Sequence, residues 1–529
     1  MSTFVFRNQT IEAFLGDADV TYSGYGDISL IPSDVDRYIW FYQVPVKADS
    51  ITLAQEVDAY RDQLDLVLAG ADAAKPFIIF SLVNLFPLRL TGNDVAVGEA
   101  VSAFNSHVMT LARQRPNVKW VDFADFTSDY DAATLVNWKY YLMSQTLLNP
   151  KLARDFQAWW HRVEDSLALK RKKCLVLDLD NTLWGGVLGE DGVDGIQLGG
   201  DYPGKAYYQW QLALEQLAAN GVILALCSKN NETDVQEAWD KNPSMVLKRK
   251  HFSAVRINWG DKANNLRDLA EELNIGLDSM VFVDDSPSER ELVKQMLPEV
   301  EVPDFPDKPY LLMPFFKFLV ENYFRTYSVT AEDRAKTEQY HANALRRAEQ
   351  SRFADFDDYL YSLDISIDVI PADNHNLPRI AQMTQKTNQF NLTTRRYTES
   401  EVVHLIDSHW HVYCMSVSDR FGDSGITGTI FNRPVDDVTL DIDTLLVSCR
   451  VLGKGVEEAF FKTVMNLMRL DGYRKVTATY CPTAKNVQTA DFYDRMGMTC
   501  VAVDEGVKRY EMNLDGVSEI KNCYNIRVL

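Results

Sequence analysis

At 529 residues the chain is too long for one hydrophobic core, and three domains is the natural division. A hydrophobic content of 46% with 24% charged residues is globular in character, which excludes a fibrous or low-complexity chain. The net charge of −21 argues against nucleic acid as a partner, and against an acidic protein unless a local basic patch exists. No window approaches the roughly 20 uncharged apolar residues that span a bilayer. The start MSTFVFRNQT lacks the basic and apolar runs of a signal peptide. Seven cysteines, scattered and without CxxC pairs, suit a reducing cytoplasm better than a disulfide framework or a structural zinc site.

Residues 1–165 read as an α/β unit, with buried strands at 39–44, 76–83 and 118–123 separated by amphipathic helices at 53–68 and 97–113. A second α/β unit covers 170–305. The stretch VPDFPDKPYLLMP and a polar helix near 331–352 belong to a connector over 306–364. The third unit, 365–529, alternates strands at 365–370, 410–416 and 425–431 with a helix after Gly455. The basic runs Arg171-Lys172-Lys173 and Lys248-Arg249-Lys250 read as solvated edges.

The second unit repeats one pattern. Leu175-Val176-Leu177 ends abruptly in Asp178-Leu179-Asp180-Asn181-Thr182. The run 222–227 ends in Ser228-Lys229-Asn230, and 280–283 ends in Asp284-Asp285. Apolar runs of this kind suit parallel strands covered on both faces, and residues at their carboxyl ends meet where open α/β sheets bind ligands. Lys262 opens a helix beside them. The residue types fit phosphoryl transfer. A carboxylate attacks phosphorus while a second acid protonates the leaving group. Further carboxylates hold Mg²⁺, and a hydroxyl and an ammonium hold the phosphoryl oxygens.

These four signals, in this order, resemble the motifs of haloacid dehalogenase superfamily phosphatases. The resemblance implies Asp178 as nucleophile and Asp180 as general acid and base, the latter also giving Mg²⁺ its carbonyl. It implies Ser228 and Lys262 as phosphate ligands, Thr182 and Asn230 as substrate contacts, and Asp284 as a metal ligand. Asp285 serves either as a direct ligand or as support behind it. Only 45 residues separate Thr182 from Ser228 and 33 separate Ser228 from Lys262, so neither interval holds a large cap domain.

In the third unit, Arg450-x-x-Gly453-x-Gly455 follows a strand-like run and opens a helix, a geometry that brings N–H groups to an anion. It resembles the first motif of GNAT-type acyltransferases, and Asn486 and Tyr493 fall in a segment resembling the end of that fold. The resemblance implies that Arg450, Gly453, Gly455, Asn486 and Tyr493 bind a coenzyme A-type or acyl-carrier arm. QKTNQFNLTTRR, at 385–396, offers Lys386, Asn388, Arg395 and Arg396 as contacts to a phosphorylated or hydroxylated small molecule, the two arginines as an anion clamp. DRFGDSG, at 419–425, reads as a strand-flanking turn with Arg420 and Asp423 pairing locally.

DLDNTLWGG, CSKNN, NWGDK, DDSPSER, QKTNQFNLTTRR, DRFGDSG and SCRVLGKGVE occur in that order and together resemble the FkbH-like family over about 174–500. The implied activity moves a glyceryl group from 1,3-bisphosphoglycerate to the phosphopantetheine thiol of an acyl carrier protein and removes the remaining phosphate. Cys449, and less so Cys227, is a candidate relay thiol. The alternative is a plain phosphatase of a small phosphorylated metabolite with the third domain as lid. The first unit resembles SGNH-type hydrolases in Leu15-Gly16-Asp17 and Asn84. Ala18 stands in place of the nucleophilic serine, however, and Val136-Asn137-Trp138-Lys139-Tyr140 holds no Asp-x-x-His pair, so a non-catalytic module is expected. The fold class expected is α/β and multidomain: an SGNH-like α/β domain, an uncapped Rossmann-like parallel sheet of haloacid dehalogenase type, and a GNAT-like α+β domain.

Overall fold

The computed structural model describes residues 2–16, 19–88, 92–327 and 355–529, with Gln339, Arg346, Glu349 and Phe353. Asp17, Ala18 and most of the polar helix expected over 331–352 lie outside the described residues. The chain forms two compact units, Met1–Leu167 with Tyr397–Ser408, and Ala168–Arg396 with His409–Leu529.

The first unit is built on Thr3–Arg7 (β1), Val20–Tyr25 (β2), Arg37–Phe41 (β3), Phe77–Phe80 (β4) and Val118–Val121 (β5). All pairings are parallel, in the order β2-β1-β3-β4-β5. The three expected strands are β3, β4 and β5. The two at the amino end lie outside those expectations, and β2, VTYSGY, is largely solvent-facing. Side chains alternate across β4, so Phe77 packs on Phe6 while Phe80 packs on Phe123, Phe156 and Trp160. Asn137 caps the helix Trp138–Ser144 by accepting from the Tyr140 amide, and Trp138 and Tyr140 are exposed; none of these residues builds a triad. The helix Glu399–Asp407, opened by a Thr398–Glu401 capping box, belongs to this unit although the sequence places it in the third domain.

The second unit holds two sheets. Cys174–Leu177 (β6), Ile223–Ser228 (β7), Ala254–Ile257 (β8) and Met280–Val283 (β9) form a parallel sheet in the order β8-β7-β6-β9. Every residue of β6, β7 and β9 is buried, as continuous apolar runs require. The segment between Thr182 and Ser228 folds as the helices Leu188–Gly195 and Gly204–Ala219. Their Leu188, Trp210 and Leu214 join the core of this sheet rather than a separate cap. The helix Leu312–Leu319 joins it too: Phe315 lies 6.0 Å, ring to ring, from Trp210. The layer therefore runs beyond residue 305 into the stretch expected as connector.

The second sheet has eight strands: Ile365–Pro371 (β10), His411–Asp419 (β11), Gly422–Pro434 (β12), Thr439–Val447 (β13), Lys475–Tyr480 (β14), Thr499–Asp504 (β15), Val507–Asn513 (β16) and Tyr524–Val528 (β17). Their order is β15-β16-β14-β13-β12-β11-β10-β17. The helix Val456–Leu470 buries Phe460, Phe461 and Val464 against it. β13 and β14 pair in parallel only from Thr439–Lys475 to Ile442–Ala478 and then part. Residues 390–392 fill the split. The Leu392 amide donates to the Leu445 carbonyl (3.1 Å), Val447 N–H to Phe390 O (3.0 Å) and Cys481 N–H to Leu392 O (2.8 Å).

DRFGDSG is the β11–β12 turn, but its pairing differs from expectation. Arg420 pairs with Glu349 at 2.7 Å, and Asp423 accepts from the Gly425 amide. The buried acid is Asp419, gripped by Arg346 through two 2.7 Å hydrogen bonds and by Lys454 at 3.1 Å. Phe315→Ala is expected to destabilise the second unit by about 3 kcal/mol through lost burial and a residual cavity. Urea unfolding followed by tryptophan fluorescence checks this.

Candidate active site

Because β6, β7 and β9 are parallel, their carboxyl ends share one edge, and there the polar residues converge. Carboxylate oxygens of Asp178, Asp284 and Asp285 lie within 4.8 Å of one another. Lys262, at the start of the helix Lys262–Leu273, inserts its ammonium among them, 3.1 Å from Asp178 Oδ1 and 2.5 Å from Asp284 Oδ2. Burial works against the lysine's charge, but Asp178 and Asp284 outweigh it and hold the ammonium above its ordinary range. Burial, with Asp178 in second place, raises the Asp284 carboxyl. The same causes, with Asp284 added, push Asp285 up to about 6.

Asp180 has a different environment. Its Oδ1 accepts from Trp184 Nε1 (2.9 Å) and the Leu188 amide (3.0 Å), and its Oδ2 from Asn230 Nδ2 (2.9 Å). Burial raises its carboxyl above the usual range despite these bonds, which suits a group that gives up a proton to a leaving oxygen. The left-handed Asn181 (φ 53°) turns the chain after the strand, and its side chain closes the turn by accepting from the Gly186 amide. Ser228 and Thr182 are buried at this edge, and Thr182 Oγ1 has no partner among the described residues. Asn230, expected to touch substrate, donates to Asp180 and orients it.

Arg290, within the DDSPSER motif but unassigned from sequence, donates to the backbone carbonyls of Asp284 and Asp285 at 2.8 Å each, fixing the turn that aims both carboxylates. Trp184, which fixes Asp180, also went unassigned. Exposed Trp259 stands on the same edge, donating to Asn231 Oδ1. A hard divalent cation with oxygen ligands, such as Mg²⁺, fits Asp178, Asp284 and Asp285 and would relieve the repulsion that adds to burial in raising Asp285.

The residues expected of a second site are dispersed. Arg395 binds buried Asp443, whereas Arg396 turns to the Gln385 carbonyl and to Asn388, so the two do not form a clamp. Asn486 is fully buried, joining Asn391 O, Cys481 O and the Thr483 amide, and so pegs the segment that fills the split. Tyr493 is core, packed against Phe492 and Tyr510. Gly453 and Gly455 have the positive φ that the turn before the helix requires (80° and 70°). Glu457 and Glu458 occupy the helix's first turn, the Tyr524 hydroxyl sits where a Cβ at Gly455 would lie, and Lys462, Arg495 and Lys521 line the pocket beside them.

Arg450 and Cys449 face a different cavity of about 1010 Å³, together with Lys386, Asn388 and Arg396. Arg171-Lys172-Lys173 lines it as well, where the sequence suggested only a solvated edge. Cys227 is fully buried and its thiol is pushed up to about 12 by burial, which removes it as a relay nucleophile. No helix among the described residues is long and apolar enough to cross a membrane.

Comparison with known proteins agrees with this edge of the molecule. Residues 173–324 match the family of NLI interacting factor-like phosphatases. The N-terminal part of BF1531 from Bacteroides fragilis, containing a phosphatase domain and solved with Mg, is 27% identical with a TM-score of 0.54. That similarity covers 62% of this chain and 94% of that one. An acetyltransferase of the GNAT family from Desulfovibrio desulfuricans aligns at 17% identity and a TM-score of 0.24, over 28% of this chain and 99% of its own. The ribosomal-protein-S18-alanine N-acetyltransferase of Escherichia coli aligns at 10% and 0.23, over 30% and 97%. No curated protein matches the chain. The layer around β6–β9 is a phosphatase domain of the haloacid dehalogenase type.

Protonation competes with metal binding at Asp285, whose carboxyl is raised and therefore neutral below about pH 6. Mg²⁺ affinity is expected to fall about tenfold per pH unit below 6 and to level off above it. Calorimetric titration across pH 5–8, with Asp285→Asn flattening that slope, checks the assignment.

Proposed function

We propose that the chain is a Mg²⁺-dependent phosphohydrolase acting through an aspartyl phosphate, and that it couples this reaction to acyl transfer. The observation that carries the first part is the pair Asp178 and Asp180, two residues apart at one strand end in unlike surroundings. Asp178 stands 3.1 Å from an ammonium, and Asp180 is half-buried and raised. The Asp178 carboxylate attacks phosphorus while Asp180 delivers its proton to the departing oxygen. Asp180 then takes a proton from the water that hydrolyses the acyl phosphate. Lys262 and Ser228 hold phosphoryl oxygens. Asp178, Asp284 and Asp285 would hold Mg²⁺, which would supply charge neutralisation at the phosphoryl group.

The finer reading is transfer of a glyceryl or similar hydroxyacyl group from 1,3-bisphosphoglycerate to the phosphopantetheine thiol of an acyl carrier protein, with the remaining phosphate removed at Asp178. It is supported by where the two halves of the second unit meet. Asn274 donates to the Cys449 carbonyl (3.0 Å) and Asp278 pairs with Lys485 (2.5 Å). Both contacts lie before β9, at the amino edge of the parallel sheet, opposite Asp178. That placement speaks against the eight-stranded sheet as a lid over Asp178. It favours two separated sites, the situation a long flexible carrier arm serves.

Asp178→Asn should lower hydrolysis of a generic phosphate ester by at least about 10³-fold. Incubating wild type with Mg²⁺, 1,3-bisphosphoglycerate and a phosphopantetheinylated carrier protein should yield a glyceryl adduct by intact mass. The Asp178→Asn protein should yield only the phosphoglyceryl form. Phosphate release without any adduct would leave a phosphatase alone.

A further inference from the structure

The mouth of the phosphatase site carries a large apolar side chain that the reaction above leaves unused. Trp259 is 70% exposed, although it stands only three residues before buried Lys262. A single exposed apolar residue is ordinary on a protein surface. What sets Trp259 apart is that the chain on both sides of it is fixed, and so is the indole.

The loop that carries it runs from the end of β8 to the helix Lys262–Leu273. At its start the Asn258 amide donates to the Ser228 carbonyl at 3.1 Å, which ties the loop to the end of β7. The Asn258 side chain accepts from the Gly260 amide (2.8 Å) and exchanges two hydrogen bonds with the Asn265 side chain (3.0 and 3.2 Å). A Cβ at Gly260 would lie 2.8 Å from Asn258 Oδ1, so glycine is what lets the loop close this tightly. At its end Asp261 caps the helix by accepting from the Asn264 amide (2.9 Å). The indole itself donates from Nε1 to Asn231 Oδ1 at 3.0 Å. Pinned in this way, the ring does not fold back onto the core, and most of its surface stays in solvent.

The neighbours of the indole identify the part of a substrate that meets it. Asn230 donates to Asp180, the acid that serves the leaving oxygen, and Asn231, the next residue, holds Trp259. Ser228 and Lys262 serve the phosphoryl oxygens, and the Trp259 loop joins one to the other. The indole therefore flanks the side from which the leaving group departs. Charge is already spent at this mouth: Lys229, beside Ser228, is held by Glu289 at 2.6 Å. Leu188, Trp210 and Leu214 draw the segment after Thr182 into the core of the sheet, which leaves the mouth open to a long substrate.

We propose that Trp259 is the leaving-group platform of this site and sets its specificity. It favours phosphate monoesters whose alcohol extends a flat or apolar surface past the ester oxygen over those of compact alcohols. The proposal rests on the phosphohydrolase reading above and adds the substrate class to it.

The probes are 2-(2-naphthyl)ethyl phosphate and ethyl phosphate, which share a primary alkoxide leaving group and differ in the surface beyond it. With Mg²⁺ and the full chain, kcat/KM for the naphthyl ester should exceed that for the ethyl ester about tenfold. Trp259→Ala should bring that ratio close to one. Trp259→Phe should keep most of it, because an aromatic face carries the contact. Trp259 is exposed, so neither substitution threatens the fold.

Hydroxyl-radical footprinting read by peptide mass spectrometry gives a second measurement that needs no turnover. In Asp178→Asn with Mg²⁺, the naphthyl ester should slow oxidation of Trp259 severalfold and leave exposed Trp138 as it was. A wild-type ratio near one, a ratio that Trp259→Ala leaves unchanged, or an unprotected Trp259 would each overturn the proposal. Failure of the phosphohydrolase reading has a different signature: neither ester is turned over by wild type. Protection of Trp259 then still upholds the platform, and its absence overturns it.

Discussion

Everything at the phosphatase edge depends on like charges forced together. Parallel strands buried on both faces must end somewhere, and β6 and β9 end in Asp178 and Asp284-Asp285, side by side in the sheet. Three carboxylates within 4.8 Å repel strongly once buried, and the protein answers with Lys262 between two of them. That cation offsets the repulsion only in part: burial first, and then Asp178 and Asp284, push the Asp285 carboxyl up to about 6. A site in this condition favours any divalent cation that adds charge, which is how a metal requirement arises from packing alone. Asp180 escapes the cluster because Trp184, Leu188 and Asn230 hold it aside, leaving it a separate acid–base group.

The two edges of the parallel sheet carry opposite charge. Among the described residues, the carboxyl edge gathers acids around Lys262, whereas the amino edge and the neighbouring eight-stranded sheet gather lysines and arginines around Asp278. Parallel strands make this separation possible, because all their amino ends fall on one side. The acidic cluster and the basic cavity are thus kept apart by the thickness of the sheet.

In the C-terminal half, several residues of the types that suit a ligand have structural partners. Asn486 pegs a loop, Tyr493 fills core, and the glycines shape a turn that glutamates guard. Asparagine suits a ligand, but here the Asn486 amide satisfies the Asn391 and Cys481 carbonyls beside the place where β13 and β14 part. The polar segment 385–396 is the clearest case. It reads as a ligand-binding loop, yet its centre is a strand filler, and only its flanks, Lys386, Asn388 and Arg396, reach a cavity.

What the sequence determined by itself is the phosphatase site. Apolar runs ending in acids are a local signal, since strand burial and the polar residues that follow are both written in consecutive positions, and four such signals in order leave one arrangement. The same locality made β3, β4, β5 and the helix after Gly455 legible. Only the tertiary structure decided what depends on distant partners. It turned Asn230 toward Asp180, sent Arg395 to Asp443, extended the phosphatase core to Phe315, and moved the helix Glu399–Asp407 to the first unit. It also drew residues 170–173 together with Arg396, Arg450 and Lys485 around one cavity. Each basic segment alone reads as a solvated edge, and the positive field exists only where the fold sums them.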